Sequence, residues 1–464
     1  MPGPIFVRRV IALPPAWGVL VVCLGTLVVP FDSSVNVAFP AIIRAFALPI
    51  PTIQWVVIAY TLTYAALMLV FGRIGDMLGH RRIFLCGSAL GVVSFVLCAA
   101  APSLAWLLGA RVLQGVAAAL ALSCGPALAT ALYPEAQRGR ILGIYAMVFG
   151  LGSAGGSLLA GLLVQLWGWP AVFWFRVPLS LAAFVLAWGL PAGTPSGPRE
   201  RFDAAGAALL VLAVTALLLG LNRLPGAMAL PWLGLFLGAT IGFVLRERRA
   251  EHPIIDLRYF HDVDFSLLNA AHVAINLAGF SVPLLVPFFL DRLAGLAAPQ
   301  AGVVLAVSSL GMALSAMLAG RLSGRIPPRR LALLGAAATA TGQVLIGATG
   351  APPDMAWFCA AMALQGSGLG LFQVAYFDIA TATIPRSQRG VAGSLVMMTR
   401  TMGVVTGATV LMLVFRTLRA TAAAGGADDV TALLSGFHAA FRTAAGIVLV
   451  MLLALLLRGR RWVG

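Results

Sequence analysis

The sequence predicts an all-α polytopic membrane protein because of its composition, its long apolar runs and an internal repeat. Apolar residues make up 61% of the 464 residues and charged residues only 10%, against roughly 45–50% and about 25% in soluble domains. Apolar runs of about 20 residues, enough to cross a bilayer as a helix, recur along the whole chain. Short motifs return at a nearly constant offset, which indicates two related halves.

Apolar runs bounded by Gly, Pro and charged residues predict fourteen spans. They cover residues 17–42, 54–72, 82–101, 104–132, 140–166, 171–191, 204–222, 230–246, 265–290, 299–321, 331–349, 355–384, 391–415 and 437–457. The first run follows Arg8 and Arg9 as in a signal sequence, but no A-x-A-type cleavage site ends it. We therefore expect an uncleaved first helix.

The distribution of arginine predicts the orientation of the spans. All 31 basic residues are Arg, and basic residues collect on cytoplasmic loops. With a cytoplasmic N-terminus, most arginines lie on cytoplasmic segments. The exceptions on external segments are Arg44, Arg223, Arg292, Arg416 and Arg419, and those within spans are Arg111, Arg176, Arg400 and Arg442. Both termini are expected in the cytoplasm, with the protein in the bacterial inner membrane. The net charge of +16 then reflects loops beside the lipid bilayer and not a nucleic-acid partner.

Three repeated motifs predict the domain organisation. Gly72–Arg82 returns as a weaker copy at Gly320–Arg330, and two tripeptides also recur. The tripeptides are Leu113-Gln114-Gly115, which returns at Leu364-Gln365-Gly366, and Gln137-Arg138-Gly139, which returns at Gln388-Arg389-Gly390. The number of residues that separates the two copies of each motif is larger than six spans alone would occupy. We therefore expect spans 7 and 8 to be inserted between the halves. We predict an N-terminal six-helix bundle (1–192), a linker with two extra transmembrane helices (193–263) and a C-terminal six-helix bundle (264–464). An axis along the membrane normal should relate the two pseudo-symmetric bundles, as in parallel-repeat transporters.

Several motifs, specific only when taken together, resemble one transporter family. The matching segments are Asp32–Pro40 at the end of span 1, Gln54-Trp55 through Tyr60 in span 2, the loop 72–82, Arg111-x-x-Gln114-Gly115 in span 4, Phe202-Asp203-x-x-Gly206 before span 7 and His252–Leu257 before span 9. On these segments the chain resembles the major facilitator superfamily, and within it the fourteen-span drug:proton antiporter family. The resemblance covers essentially the whole chain and implies the major facilitator fold, with spans arranged six plus two plus six.

The loop 72–82 is a candidate gating latch. Asp76 could cap a neighbouring helix N-terminus, where roughly half a positive charge accumulates. The basic side chains would stay near anionic lipid, and the glycines would allow close backbone approach. The resemblance implies that the latch residues hold the cytoplasmic side closed: Gly72, Arg73, Asp76, Gly79, Arg81 and Arg82. A topology signal alone is the alternative. The second copy has Gly324 where the first has Asp76, so we expect an asymmetric pair.

Span 5 departs from the family's antiporter motif, G-x-x-x-G-P-x-x-G-G. The corresponding residues are Gly152, Gly156, Ser157, Ala160 and Gly161, so a proline and one glycine are replaced. The small-residue surface for close helix contact is retained, whereas the proline kink is not predicted.

Asp32 is the leading candidate for proton coupling. A carboxylate at membrane depth costs a few kcal/mol, so it should be paired or protonated during part of the cycle. A nearby Arg lowers its pKa and desolvation raises it, so a movement that changes either can load or release a proton. Arg111 in span 4 is a candidate partner, and the resemblance implies a role for it beside the proton pathway. The alternatives are a capping role for Asp32 at an external helix end and a structural role for Arg111.

Asp378 is the acid within the second half's spans and the next candidate for coupling. It could bind substrate or form a structural ion pair with Arg400 on span 13. Arg176 on span 6 stands where the family has Asn before Val-Pro, and the sequence gives no reason for it.

Polar and aromatic side chains within the spans predict a substrate cavity. Asn269, His272 and Asn276 fall on one helical face of span 9, which should look into the cavity or onto a neighbouring helix. The further candidates are Asn36, Tyr60, Tyr64, Gln114, Gln365 and Gln373. Such a cavity would fit many ligands, so the sequence does not specify the substrate.

The motifs of enzymes are missing from the sequence. It contains no HExxH, no CxxC and no GxSxG, and its histidines are scattered. We therefore expect a transporter and neither an enzyme nor a metal protein, with no cofactor other than the proton gradient. The expected function is export of an amphipathic small molecule in exchange for protons, by a monomer. A narrow exporter of one metabolite or antibiotic, or an importer, is the alternative.

Overall fold

A computed structural model describes residues 15–131, 138–190, 203–223, 226, 228–249, 260–322, 325–383 and 389–458. The structured elements of these residues are almost entirely helical. The helices are α1 (Pro15–Leu27), α2 (Ser33–Phe46), α3 (Gln54–Leu78), α4 (His80–Ala99), α5 (Leu104–Ala131), α6 (Arg138–Trp167), α7 (Ala171–Trp174), α8 (Arg176–Ala187), α9 (Ala204–Asn222), α10 (Ala229–Glu247), α11 (Val263–Gly279), α12 (Ser281–Arg292), α13 (Ala298–Leu322), α14 (Pro328–Ile346), α15 (Met355–Thr383), α16 (Arg389–Ala424) and α17 (Asp429–Leu457).

All fourteen predicted spans overlap these helices. Within the described residues, ten candidate spans are long and apolar enough to cross a membrane, and the apolar helices at Ala171–Ala187 and Ala205–Leu217 are shorter. The chain is thus a multi-pass helical membrane protein, and the number of fourteen crossings stays a prediction.

The first helix of each half is broken. The first span divides into α1 and α2 around a 3-10 turn at Pro30–Asp32, where Pro30 lacks a backbone N–H donor and its ring disfavours a continuous α-helix. The corresponding span of the second half divides into α11 and α12 at Phe280. A break exposes backbone groups and gives a side chain at that level a position that a straight helix does not offer.

The two copies of the Leu-Gln-Gly tripeptide occupy equivalent helix crossings in the two halves. A Cβ added to Gly115 of α5 would lie 2.7 Å from the Tyr60 carbonyl oxygen of α3, and one added to Gly366 of α15 would collide with the Ser308 carbonyl oxygen of α13. Only glycine permits such close crossing. Between the halves, α6 packs on α13 and α16 packs on α3. These two contacts would exchange under the twofold axis that the repeat predicts.

The helices α9 and α10 form a hairpin closed by the acid of the Asp203-x-x-Gly206 motif. Asp203 Oδ1 accepts from Gly206 N at 3.0 Å, and Arg246 Nε donates to both carboxylate oxygens at 3.1 Å. Burial alone would raise the pKa of the Asp203 carboxyl, but the hydrogen bonds from Arg246 and Gly206 hold that pKa below its ordinary value. The hairpin contacts α3 and α16 through α9.

Some helices extend beyond the predicted spans. Helix α3 continues to Leu78 and α4 begins at His80, so the predicted loop 72–82 is a single-residue turn at Gly79, whose φ is +95°. Helix α16 continues to Ala424 and α17 begins at Asp429. Hydropathy ends a span at its first polar residues, whereas a helix continues into water as long as its backbone hydrogen bonds are made.

Candidate functional site

Asp32 lies at the centre of a buried ion cluster in the first half. Its carboxylate accepts two hydrogen bonds from Arg111, at 2.6 and 2.8 Å, and one from Arg176 Nη1 at 2.8 Å. Gln114 Nε2 donates to the same carboxylate at 3.1 Å. The Asp32 side chain is 17% exposed, and both arginine side chains are essentially inaccessible. The contact between Asp32 and Arg111 agrees with the candidate pair named from the sequence, whereas the contacts of Arg176 and Gln114 with Asp32 were not predicted.

The position of Asp32 follows from the break in the first span. It is the N-cap residue of α2, yet its side chain makes no capping hydrogen bond. The carboxylate turns to the arginines, and the positive end of the helix dipole of α2 adds to its stabilisation. The structure therefore places Asp32 inside the bundle and not at an external helix end.

Each guanidinium is also fixed to the surrounding backbone and aromatic rings. Arg111 Nε donates to the Val56 carbonyl of α3, and Arg176 Nε to the Val172 carbonyl of α7, both at 2.9 Å. The Arg111 guanidinium lies 4.4 Å from the Tyr60 ring centroid, and that of Arg176 lies 4.9 Å from the Phe95 centroid. Cation–π contacts of this kind partly offset the loss of water.

The structure explains why an arginine stands at position 176. It is the second cation on a single carboxylate, so the formal charge of the cluster is positive when Asp32 is ionised. One of its nitrogens, Nη2, is buried and has no hydrogen-bond partner among the described residues. The contact between Arg176 and Asp32 cannot be predicted from the sequence, because the two residues lie on different helices.

A small cavity with a mostly apolar lining adjoins the cluster on the inside of the first half. It has a volume of about 20 Å³ and is lined by Gln114, Tyr60 and Ser88 among others. The hydroxyls of Tyr60 and Ser88 are buried and make no hydrogen bond within the described part of the chain. The size of the cavity and these two hydroxyls suit a bound water, which needs roughly 10–15 Å³ and two or more polar partners.

The small residues of span 5 form the close contacts that the motif predicted. A Cβ on Gly156 would lie 2.5 Å from Ser33 Oγ, and one on Gly152 would lie 2.6 Å from a Leu27 methyl group. A Cβ on Gly161 would lie 2.4 Å from the Ala298 carbonyl of α13, in the other half. Ser157 replaces the family's proline without a break in α6, and its hydroxyl donates to the Ser153 carbonyl at 3.3 Å.

The candidate latch is described only in part. The side chains of Arg73 and Asp76 lie outside the described residues, as does Gly324 of the second copy. A Cβ on Gly72 would lie 3.8 Å from Ser123 Cβ, an ordinary contact, and Arg82 is exposed. Arg81 donates to the carbonyls of Ala187 and Trp188 at the end of α8. A cation there satisfies orphan carbonyl groups and the negative end of the helix dipole.

The polar face of α11 packs against neighbouring helices. Asn269, His272 and Asn276 are all buried. His272 Nδ1 lies 2.8 Å from Thr399 Oγ1 of α16, and its ring stacks on Tyr376 of α15 with centroids 3.8 Å apart. Tyr376 Oη also donates to Asn269 at 2.7 Å. Sequence inspection missed Tyr376 and Thr399, since neither a tyrosine nor a threonine in an apolar helix signals a polar network.

The remaining cavity candidates are divided between helix contacts and the surface between the halves. Gln365 is buried and accepts from Ser308 at 2.8 Å, and Gln373 donates to Asn276 at 3.4 Å. Thr401 donates to the Tyr64 hydroxyl across the halves at 3.5 Å. Asn36 is half-buried on α2 and Asp378 half-buried on α15. Arg400 forms no ion pair with Asp378.

Sequence comparison identifies the family. The sequence profile of the Major Facilitator Superfamily matches residues 22–293 and 267–462, which together cover both halves. The chain belongs to the major facilitator superfamily. It is therefore a membrane transporter of the major facilitator type, and its similarity to transporters agrees with the expectation that it is not an enzyme.

Several major facilitator proteins are similar to this chain over most of their length. Riboflavin transporter RibZ of Clostridioides difficile (strain 630) is 29% identical over 399 residues, which cover 84% of this chain and 86% of the relative. Multidrug resistance protein Stp of Mycobacterium tuberculosis (strain CDC 1551) is 30% identical, covering 84% and 73%. The tetracenomycin C resistance and export protein of Streptomyces glaucescens is 31% identical, covering 81% and 71%.

Proposed function

We propose that this major facilitator protein exports amphipathic small molecules in exchange for protons, as a multidrug-type antiporter. The proton gradient drives it without a bound cofactor, and it works as a monomer in the bacterial cytoplasmic membrane. It has fourteen spans with both termini in the cytoplasm. The two bundles rock about a midplane site and open it to each side in turn, with the 72–82 segment and Asp76 as the cytoplasmic latch. The observation that carries the proposal is the buried carboxylate of Asp32 between two arginines.

The geometry at Asp32 supports a coupling role. Two guanidiniums oppose protonation of the carboxylate, because each is attracted to its ionised form. Proton uptake therefore requires that at least one guanidinium move away. Arg111 is tied to α3 and Arg176 to α7, whereas Asp32 lies at the break of the first span. A rearrangement at the break changes these distances, and so couples helix movement to the gain or loss of a proton.

The test is Asp32→Asn in proteoliposomes with an imposed pH gradient and a panel of dyes. An amide cannot exchange the proton but can still hydrogen-bond, so we expect gradient-driven accumulation to be lost while downhill exchange persists. Asp429→Asn is the matched control, because Asp429 is an exposed acid that pairs with Arg419 at 2.7 Å. Uphill transport by Asp32→Asn would exclude Asp32 as the coupling group and direct attention to Asp378.

A narrow transporter of one metabolite or antibiotic, working in either direction, is the second candidate. The similarity to a riboflavin transporter and to a protein named for export of one antibiotic favours it. The same panel distinguishes the two, because a multidrug exporter transports several unrelated dyes and a narrow transporter does not.

A further inference from the structure

Arg400 lies where the two halves of the protein meet. It belongs to α16 of the second half, and its guanidinium carbon is 5.4 Å from the ring centroid of Phe149 on α6 of the first half. Its neighbour Thr401 contacts Tyr64 across the same interface. Tyr64 and Phe149 are both close to the middle of their helices. Arg400 is therefore a cation at membrane depth between the bundles.

This guanidinium forms no ion pair and no hydrogen bond within the described part of the chain, and it is half-buried. An arginine at the bilayer centre costs about 2.5–3.5 kcal/mol even on insertion scales, whereas a cation–π contact returns only about 0.5–2 kcal/mol. Arginines at this depth face cavities or pathways and have a partner in some state. The partner of Arg400 has to come from a neighbouring carboxylate or from a bound molecule.

The surroundings of Arg400 favour a bound anion. The Asp32 carboxylate is fully occupied by Arg111, Arg176 and Gln114. That cluster carries a net positive formal charge, so it repels cations and attracts anions. On the first-half side of the interface, the Phe149 ring faces the Arg400 guanidinium and Tyr64 contacts the neighbouring Thr401. These two rings offer flat apolar surface next to the cation, and the buried Tyr60 ring lies behind Tyr64, with centroids 5.2 Å apart.

We infer that Arg400 binds the anionic group of the transported molecule, and that the substrates are amphipathic organic anions carrying a carboxylate or a comparable acid on an aromatic body. This inference rests on the proposed transport function and assigns its substrate class. A guanidinium matches a carboxylate with two parallel hydrogen bonds, and the rings of Tyr64 and Phe149 contact the apolar part.

The test uses two xanthene dyes of similar shape and opposite charge, fluorescein as the anion and rhodamine 123 as the cation. Binding to the purified full chain is measured by fluorescence anisotropy at pH 8, and exchange is measured in proteoliposomes without a pH gradient. We expect the wild type to bind fluorescein more tightly than rhodamine 123. Arg400→Gln should weaken fluorescein binding about 10- to 100-fold, the range for a lost charge-assisted hydrogen bond.

Two further variants separate a binding role from a general effect of charge or folding. Arg400→Lys keeps the positive charge but not the two parallel hydrogen bonds, so its affinity for fluorescein should lie between those of the wild type and Arg400→Gln. Arg442→Gln removes an exposed arginine from α17 in the same half, and should leave both dyes unaffected. Melting temperatures of all variants identify any loss of folding.

Fluorescein binding that is no tighter than rhodamine binding, or that is unchanged in Arg400→Gln, overturns the inference. The inference is also overturned if Arg400→Gln and Asp378→Asn each lose binding of both dyes to the same extent. That result would indicate a carboxylate partner for Arg400 in another conformation. Because no gradient is applied, these results do not depend on proton coupling. Failure of both Asp32→Asn and Asp378→Asn to uncouple transport would contradict the proposed antiport and leave the dye preference standing.

Discussion

The charge balance of the Asp32 cluster predicts an unequal response to two substitutions. Asp32→Asn leaves two buried guanidiniums without a carboxylate, and removing one partner of a buried pair costs about 3–5 kcal/mol. Arg176→Gln leaves Asp32 paired with Arg111 through two hydrogen bonds. It removes one charge-assisted bond, worth about 1.5–3 kcal/mol, but also removes an excess buried charge. We therefore expect Asp32→Asn to destabilise the protein more.

The double variant gives the sharper prediction. In Asp32→Asn, the second arginine contributes only uncompensated charge, so adding Arg176→Gln should restore stability. We expect a coupling free energy of about 1–3 kcal/mol between the two positions, which is typical of residues in one ion network.

Thermal unfolding in detergent, followed by tryptophan fluorescence, measures these differences. Asp32→Asn should lower the melting temperature by roughly 3–10 °C in a chain of this length, Arg176→Gln should lower it less, and the double variant should melt above Asp32→Asn. Additive effects, or a double variant less stable than either single variant, would refute the interpretation that both arginines depend on one carboxylate.

Two other predictions test the close helix contacts and the hairpin. Gly156→Ala should destabilise the protein by about 1–3 kcal/mol, because its Cβ would lie 2.5 Å from Ser33 Oγ; the adjacent Gly155→Ala, with its nearest contact at 3.6 Å, should be neutral in the same melting assay. The Asp203–Arg246 contact should be at full strength above about pH 4, the unfolded carboxyl value, and should be lost as the pH falls through the lowered pKa of Asp203. Hydrogen exchange at the start of α9, compared with Asp203→Asn from pH 7 to below pH 4, checks this: a difference between the proteins that does not shrink as the pH falls below 4 would contradict it.

The sequence predicted the helical segments because membrane insertion places strong local constraints on a chain. A span needs about 20 apolar residues with internally satisfied backbone groups, and this requirement is visible without any tertiary information. The repeat was visible for a related reason. Gly115 and Gly366 occupy equivalent crossings at which any side chain would collide with a neighbouring backbone. Helix ends such as Leu78 and Ala424 were not predicted, because hydropathy does not mark where backbone hydrogen bonding stops.

The candidate site depended much more on tertiary structure. Asp32 and Arg111 could be singled out from sequence, since each is a charged residue inside an apolar run. That Arg176 shares the same carboxylate could not, because the contact depends on how helices from distant parts of the chain are rotated toward one another. The same limit applies to His272, whose Tyr376 and Thr399 partners lie on two other helices.

The sequence by itself thus determined the membrane class, the helical segments, the internal repeat and the charged residues that lipid would not tolerate unpaired. Those properties follow from the solvation of each segment, and solvation is a local quantity. Only the tertiary structure decided which charges meet, that one carboxylate serves two arginines and that Arg400 faces the other half. These depend on helix rotation and crossing, which are set by the packing of small residues across interfaces and leave no sign in the hydropathy of any one helix.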